Sequence, residues 1–168
     1  MKLALAALAL LWTSCGYHIA GKADLLPKSV QTIAVPAFAN NTTRYKLADR
    51  LAAAIVRELI SRTRYAVVAD PAQADATLNG AVVNYISYPT VFDQSTGRAS
   101  GVQAHVILSV NLTARDGKAL FARPQFEFRE RYEISVDQRA YFEESDVAMD
   151  RLSRDVARSV VSAILENF

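Results

Sequence analysis

The chain has 168 residues, of which 51% are hydrophobic, with 19 basic and 17 acidic side chains. This length corresponds to one domain, and the nearly balanced charge argues against a nucleic-acid-binding protein. Cys15 is the single cysteine, so an internal disulfide is excluded and the core must supply the stability.

Residues 1–14 are predicted to be a signal peptide. Lys2 supplies a positive charge, an unbroken apolar run covers residues 3–12, and two small residues precede Cys15. Ten apolar residues are too few to span a bilayer, which needs about 20 in a helix. The segment resembles a bacterial lipoprotein signal, although Trp12 stands where such signals usually carry Leu. We therefore expect Cys15 to be lipidated, with residues 15–28 as a lipidated linker and 29–168 as one domain; an ordinary signal peptide with an incidental cysteine is the alternative.

The first half of the domain is predicted to be a strand, a helix and a short strand. The strand covers residues 30–38 and carries Pro36, which favours an edge or a strand end. The helix covers 44–62, where apolar residues recur every fourth position and form one broad stripe. A short strand at 65–68 follows and ends before Asp70-Pro71.

Three long strands are predicted next, at residues 76–88, 103–115 and 118–136. On the first, Ile86 is expected on the face of Leu78 and Val82, with Tyr85 on the other face. The second alternates apolar and polar residues throughout, as a strand with one buried face does. Asp116-Gly117 predicts a tight hairpin before the third.

The chain is predicted to end in an amphipathic helix. Residues 137–144 are expected to form a loop, and Ser145 is a candidate N-cap for a helix over 146–167. Two amphipathic helices and strands with one apolar face predict an α+β fold, a two-layer sandwich with both helices on one face of the sheet. The opposite face is then left for solvent or a partner.

Catalytic and metal-binding groupings are not visible in the sequence. His18 lies in the linker and His105 on the polar side of a strand without a second ligand nearby, so no metal or cofactor is expected. No nucleophile elbow or phosphate-binding glycine loop occurs. The sequence predicts a protein that is not an enzyme.

Two groups of residues are candidates for binding. The first is a set of cations suited to phosphate, although alternating Glu residues favour a solvated face instead: Arg115, Lys118, Arg123, Arg129 and Arg131. The second is a set of aromatic residues, which equally suit a partner contact or the ends of the core: Tyr85, Tyr88 and Phe92.

Several short motifs resemble the LptE family of lipopolysaccharide-assembly lipoproteins. They are Cys15-Gly16-Tyr17-His18 with Gly21, the strand 32–38 followed by Asn40-Asn41-Thr42, and the link 74–78. The resemblance implies two helices on a four-stranded mixed sheet. It also implies an outer-membrane lipoprotein that faces the periplasm, plugs and helps to assemble the barrel LptD, and takes part in lipopolysaccharide transport. The cations are then candidate lipopolysaccharide ligands and the aromatics candidate contacts with an LptD-like barrel.

Part of the chain also resembles the opening unit of periplasmic TolB-like and CsgG-like domains. The residues concerned are 33–38, Asn40-Asn41-Thr42, the helix 47–59 and the strand 65–68. That alternative implies an envelope scaffold or a secretion lipoprotein. The three long strands and the last helix favour the LptE order instead.

Overall fold

The structure is a computed structural model that describes residues 26–133 and 138–166, with only the backbone described at 138–144. The predicted signal peptide and Cys15 lie outside the described residues. The described residues form six strands and two α-helices, with a short 3-10 helix (Pro71–Gln73) between β3 and β4. In chain order these are β1 Thr32–Ala34, β2 Ala39–Asn40, α1 Tyr45–Arg62, β3 Ala66–Val68, β4 Ala76–Phe92, β5 Ala99–Ala114, β6 Ala119–Glu133 and α2 Gln138–Glu166.

The strands form one mixed sheet in the order β3-β1-β4-β5-β6, and β2 pairs with β4 beyond the end of β1. β1 pairs in parallel with β3 and β4, whereas β4, β5 and β6 form an antiparallel meander. The expectation of a four-stranded sheet is therefore wrong. Pro36, which cannot donate a ladder hydrogen bond, lies in the gap between β1 and β2, and the short β3 adds a further strand.

Both helices pack on the same face of the sheet, as the α+β prediction requires. Leu51 and Ile55 of α1 and Val156 and Val160 of α2 are fully buried in one core with the inward side chains of β4 and β5. The helices run in the same direction, since Arg50 bonds to Asp146 near one end and Arg62 bonds to Ser162 near the other. The predicted α1 is confirmed to within one residue at its start.

The second helix begins earlier than predicted. Residues 138–144, expected to form a loop, are the first turns of α2. No Gly or Pro occurs among them, and Gln, Arg, Ala and Glu are good helix formers. The proposed N-cap, Ser145, consequently lies inside the helix, where it is 5% exposed.

A β-bulge at Val83 changes which face the second half of β4 presents. Val82 pairs with Leu108, but Asn84 pairs with the next residue, Ile107, so the alternation shifts by one position. Tyr85 is therefore directed toward the helices and packs against the core, while Ile86 lies on the opposite face and is 48% exposed. The predicted faces of these two residues are wrong for this reason.

Candidate interaction surface

The face of the sheet away from the helices carries three rows of side chains across β4, β5 and β6, which we call the open face. Its rows follow from the register of the meander: Asn84–Ile107–Glu127, Ile86–His105–Arg129 and Tyr88–Gln103–Arg131. Each row has an uncharged residue on β4 and a charged residue on β6. The open face thus changes from uncharged and partly apolar at β4 to charged at β6.

The charged side of the open face is balanced in sign. Glu127 Oε2 lies 3.2 Å from His105 Nε2 and 3.8 Å from an Arg129 guanidinium nitrogen. The Arg131 side chain makes no hydrogen bond or ion pair with the described residues, and Glu133 follows on the same face. Two adjacent guanidinium groups therefore lie between two carboxylates.

The five predicted cations do not come together. Lys118 lies just before β6 and Arg131 near its end, thirteen residues further on, which is roughly 40 Å at about 3.3 Å per residue. Arg123 instead lies over the ring of Phe126, with its guanidinium carbon 5.5 Å from the ring centroid. Only Arg129 and Arg131 share the open face, because the two-residue period of a strand places them side by side.

Arg115 belongs to a structural junction at the start of the sheet. Its Nε donates to the Ala74 carbonyl over 2.9 Å, and its guanidinium lies 3.8 Å from Asp75. Asp75 accepts hydrogen bonds from the Thr32 hydroxyl at 2.8 Å, from Thr32 N at 3.0 Å and from Gln31 N at 3.1 Å. These bonds, that of the Thr32 hydroxyl foremost, lower the pKa of Asp75. Sequence patterns do not indicate this junction, because Thr32 lies 43 residues away from Asp75 along the chain.

The three predicted aromatic contacts occupy different environments. Tyr85 packs toward the core beneath Arg44, whose guanidinium carbon lies 5.1 Å from the ring centroid. Its buried hydroxyl finds no hydrogen-bond partner among the described residues. Tyr88 lies on the open face and is 43% exposed, and Phe92, at the end of β4, is 58% exposed. Tyr88 and Phe92 are thus accessible to a partner, whereas Tyr85 is held by its own domain.

A compact turn joins β4 to β5. Asp93 accepts hydrogen bonds from the backbone and hydroxyl groups of Ser95 and Thr96. These bonds, led by that of the Ser95 hydroxyl, lower the pKa of Asp93 to about 2. The turn, which we call the tip, therefore has a defined conformation at the far end of the longest hairpin.

Across residues 26–133 and 138–166, no cluster of three or more His, Cys, Asp or Glu side chains has the arrangement of a metal site. Within the same residues, neither helix is long and apolar enough to cross a membrane.

Several solved structures with this fold are bacterial lipoproteins by name. The rare lipoprotein B of Shewanella oneidensis is 11% identical with a TM-score of 0.56, covering 79% of this chain and 94% of that chain. Lipoprotein B of Nitrosomonas europaea is 15% identical with a TM-score of 0.56, and the match covers 88% of this chain and 91% of that chain. The PelC dodecamer of Paraburkholderia phytofirmans is 16% identical with a TM-score of 0.55, and the match covers 81% of this chain and 89% of that chain. A comparison with curated protein sequences finds no match.

Two parallel helices on one face of a mixed sheet, with no described helix or strand on the other face, define a two-layer α+β fold that is similar to solved bacterial lipoproteins. Residues 30–164 match the family model LptE, described as lipopolysaccharide-assembly. The chain belongs to the LptE family, and this match favours it over the TolB-like or CsgG-like alternative.

Proposed function

We propose that this protein is a non-catalytic outer-membrane lipoprotein that plugs and helps to assemble an LptD-like barrel and takes part in lipopolysaccharide transport to the cell surface. The observation that carries the proposal is the family match over residues 30–164. A sheet with one face free of helices supports it, because a plug needs an exposed surface to meet the barrel wall.

The anchor in this proposal is Cys15. Lipidation there would hold the domain at the periplasmic side of the outer membrane by its N-terminus, and two or more acyl chains anchor stably. Replacing Cys15 by Ala should move the protein from the membrane fraction to the soluble fraction. A Cys15→Ala variant that remains in the membrane fraction would refute the anchor.

The proposed contacts follow the geometry of the open face. Arg129 and Arg131 are the strongest candidates for lipopolysaccharide phosphates, since they are adjacent and share one face, while Arg115, Lys118 and Arg123 are proposed as weaker ligands along the same hairpin. Tyr88 and Phe92 are proposed to contact the barrel, with Tyr85 supporting them from the other side of β4.

The deciding experiment is affinity purification of the tagged full-length chain from membranes of its own host. The proposal predicts that a large outer-membrane barrel is recovered with it and that depletion mislocalises lipopolysaccharide. Recovery of an inner-membrane or secretion complex without such a barrel would refute it.

Ligand binding is tested separately with purified lipopolysaccharide. Charge reversal at Arg129 and Arg131 should weaken binding, while reversal at Arg158, an exposed arginine on α2, should leave it unchanged. Equal binding by both variants would remove Arg129 and Arg131 from the proposed site.

A further inference from the structure

The second half of β4 has an edge that no described strand covers. β2 ends at Asn40, opposite Val82, and the last backbone bond on this side runs from Asn41 N to the Val82 carbonyl over 2.9 Å. Beyond Val82, within the described residues, β4 pairs with β5 alone. The backbone groups that point away from β5 along residues 84–92 therefore have no strand partner there.

The outer edge of β6 differs from this one in composition. Edge strands of soluble proteins are usually protected from pairing by charged residues, proline or bulges. β6 has all three: Pro124, a register shift near it, and six charged residues, which are Arg123, Glu127, Arg129, Glu130, Arg131 and Glu133. β4 also has Pro89 and register shifts, but it has no charged residue in its 17 residues. Charge thus protects one long edge of the sheet and not the other.

The uncovered edge of β4 has regular strand pairing over six consecutive residues. The register shifts of β4 lie between Val82 and Asn84 and after Pro89, whereas pairing from Asn84 to Pro89 proceeds residue by residue. Six residues span about 20 Å, the usual length of a strand. We call residues 84–89 the free edge.

Of the three side chains that the free edge places on the open face, Asn84 is polar and the other two, Ile86 and Tyr88, are aliphatic or aromatic. Ile86 and Tyr88 on the open face are 48% and 43% exposed, and the neighbouring Val83 is 42% exposed. An incoming strand would cover these groups while it paired with the backbone. The row of unpaired N–H and C=O groups is complementary to an extended strand, and the lack of charge favours a strand that is itself uncharged.

We propose that the free edge is a docking site for an uncharged β-strand of the barrel partner before the barrel closes. This inference rests on the proposed function and adds the mode of contact. A closed barrel offers no unpaired edge, but an unclosed one does, and strands of outer-membrane barrels alternate apolar and polar residues with few charges on the lipid side. The free edge would hold one such strand by backbone hydrogen bonds and by Ile86 and Tyr88 until barrel closure replaces this pairing.

The test compares lysine substitutions in the full-length chain, measured by recovery of the barrel during its assembly. Ile86→Lys and Tyr88→Lys place a charge on the free edge and should reduce recovery about tenfold. Ile60→Lys is the matched control, because Ile60 is a 60% exposed isoleucine on α1. It should recover as much barrel as the wild type, and thermal unfolding should show all three variants folded.

A second control separates edge pairing from contact with the whole open face. Ile107→Lys lies on β5 in the row of Asn84, so it changes the face and leaves the edge intact. Edge pairing predicts a smaller loss of recovery for Ile107→Lys than for Ile86→Lys, together with slowed amide hydrogen exchange in residues 84–88 on binding. A loss for Ile107→Lys as large as for Ile86→Lys, without slowed exchange, would overturn the proposal.

The remaining outcomes are also decisive. If the wild type recovers no barrel, the proposed function fails; if it recovers the barrel and the edge variants do so equally, only the docking mode fails. Sedimentation of the purified domain tests a second copy as the occupant. A wild-type dimer that Ile86→Lys converts to monomer would show that the free edge pairs with itself and would overturn the proposal.

Discussion

The ring of Phe38 occupies the space that a side chain at Gly80 would need. A Cβ atom built on Gly80 would collide with three carbon atoms of that ring. Phe38 is 6% exposed and belongs to the core, just before β2, while Gly80 lies in β4 beside it. The glycine thus allows the segment between β1 and β2 to pack closely against the longest strand.

Replacing Gly80 by Ala should therefore destabilise the protein. Overpacking of a filled core costs about 1–3 kcal/mol, and we expect the upper half of this range because the ring cannot leave the core without exposing apolar surface. Urea unfolding measures the change. Gly101→Ala is the control, since its Cβ would lie 3.2 Å from the exposed and adjustable Val91. Phe38→Leu replaces the ring by a smaller side chain. In the Phe38→Leu background, Gly80→Ala should therefore lower the unfolding free energy by less than it does in the wild type.

The bridge between the helices should depend on Arg50. Its guanidinium lies 2.9 Å from both Asp146 and Asp150, and its side chain is only 24% exposed. Arg50→Met keeps the apolar stem and removes the charge, so we expect a loss of about 1 kcal/mol that shrinks in high salt. Arg158→Met removes a more exposed pair with Asp155 and should cost less than about 0.5 kcal/mol. Equal losses at both sites would contradict the bridging role.

The junction at Asp75 should make stability depend on pH. Because folding lowers the pKa of Asp75, its contribution is complete above the unfolded pKa, near about 4, and is lost as the pH falls through the lower folded value. The difference in unfolding free energy between wild type and Asp75→Asn should thus decrease upon acidification from pH 6 toward pH 3. Asp49→Asn is the control, since the Asp49 side chain makes no hydrogen bond or ion pair among the described residues. A wild-type advantage that stays constant over this range would contradict the prediction.

The hairpin between β5 and β6 should tolerate Asn better than Val at Gly117. Gly117 has a φ of +86° and donates to the Ala114 carbonyl over 2.9 Å. Left-handed backbone costs an L-residue about 1–2 kcal/mol, least for Asn and most for a β-branched residue. We expect Gly117→Val to lower the unfolding free energy by about 1–2 kcal/mol more than Gly117→Asn. Equal stability of the two variants would show that the turn adopts another conformation.

Periodicity in the sequence was sufficient to predict a helix or strand that buries a single row of apolar side chains. The i+4 pattern of α1 and the alternation of β5 both place their apolar residues in the core as predicted. The Asp116-Gly117 hairpin also forms, as shown by the bond from Ala114 N to the Lys118 carbonyl. In each case a local pattern and the tertiary packing favour the same structure.

The sequence was insufficient to predict side-chain faces where one extra residue shifts the pairing register of a strand. Nothing in the composition of β4 indicates that Val83 forms a bulge, so the faces of Tyr85 and Ile86 were exchanged. The junction of Asp75 with Thr32 was likewise invisible, since it joins elements that only the fold brings together. The candidate cations were grouped by their closeness in sequence, whereas an extended strand separates Lys118 from Arg131.

The length of β4 sets the scale of the whole molecule. Leu26 and Val30 are buried near the start of β1, and the tip at Asp93 lies at the other end of β4, a strand of 17 residues. This separation is about 50 Å at the usual rise of a strand, more than the roughly 30 Å thickness of the hydrocarbon core of a bilayer. If the domain stands in a transmembrane pore with residues 26–30 at one opening, the β4–β5 hairpin would therefore reach the other opening. An antibody against the tip would then detect the hairpin on intact cells.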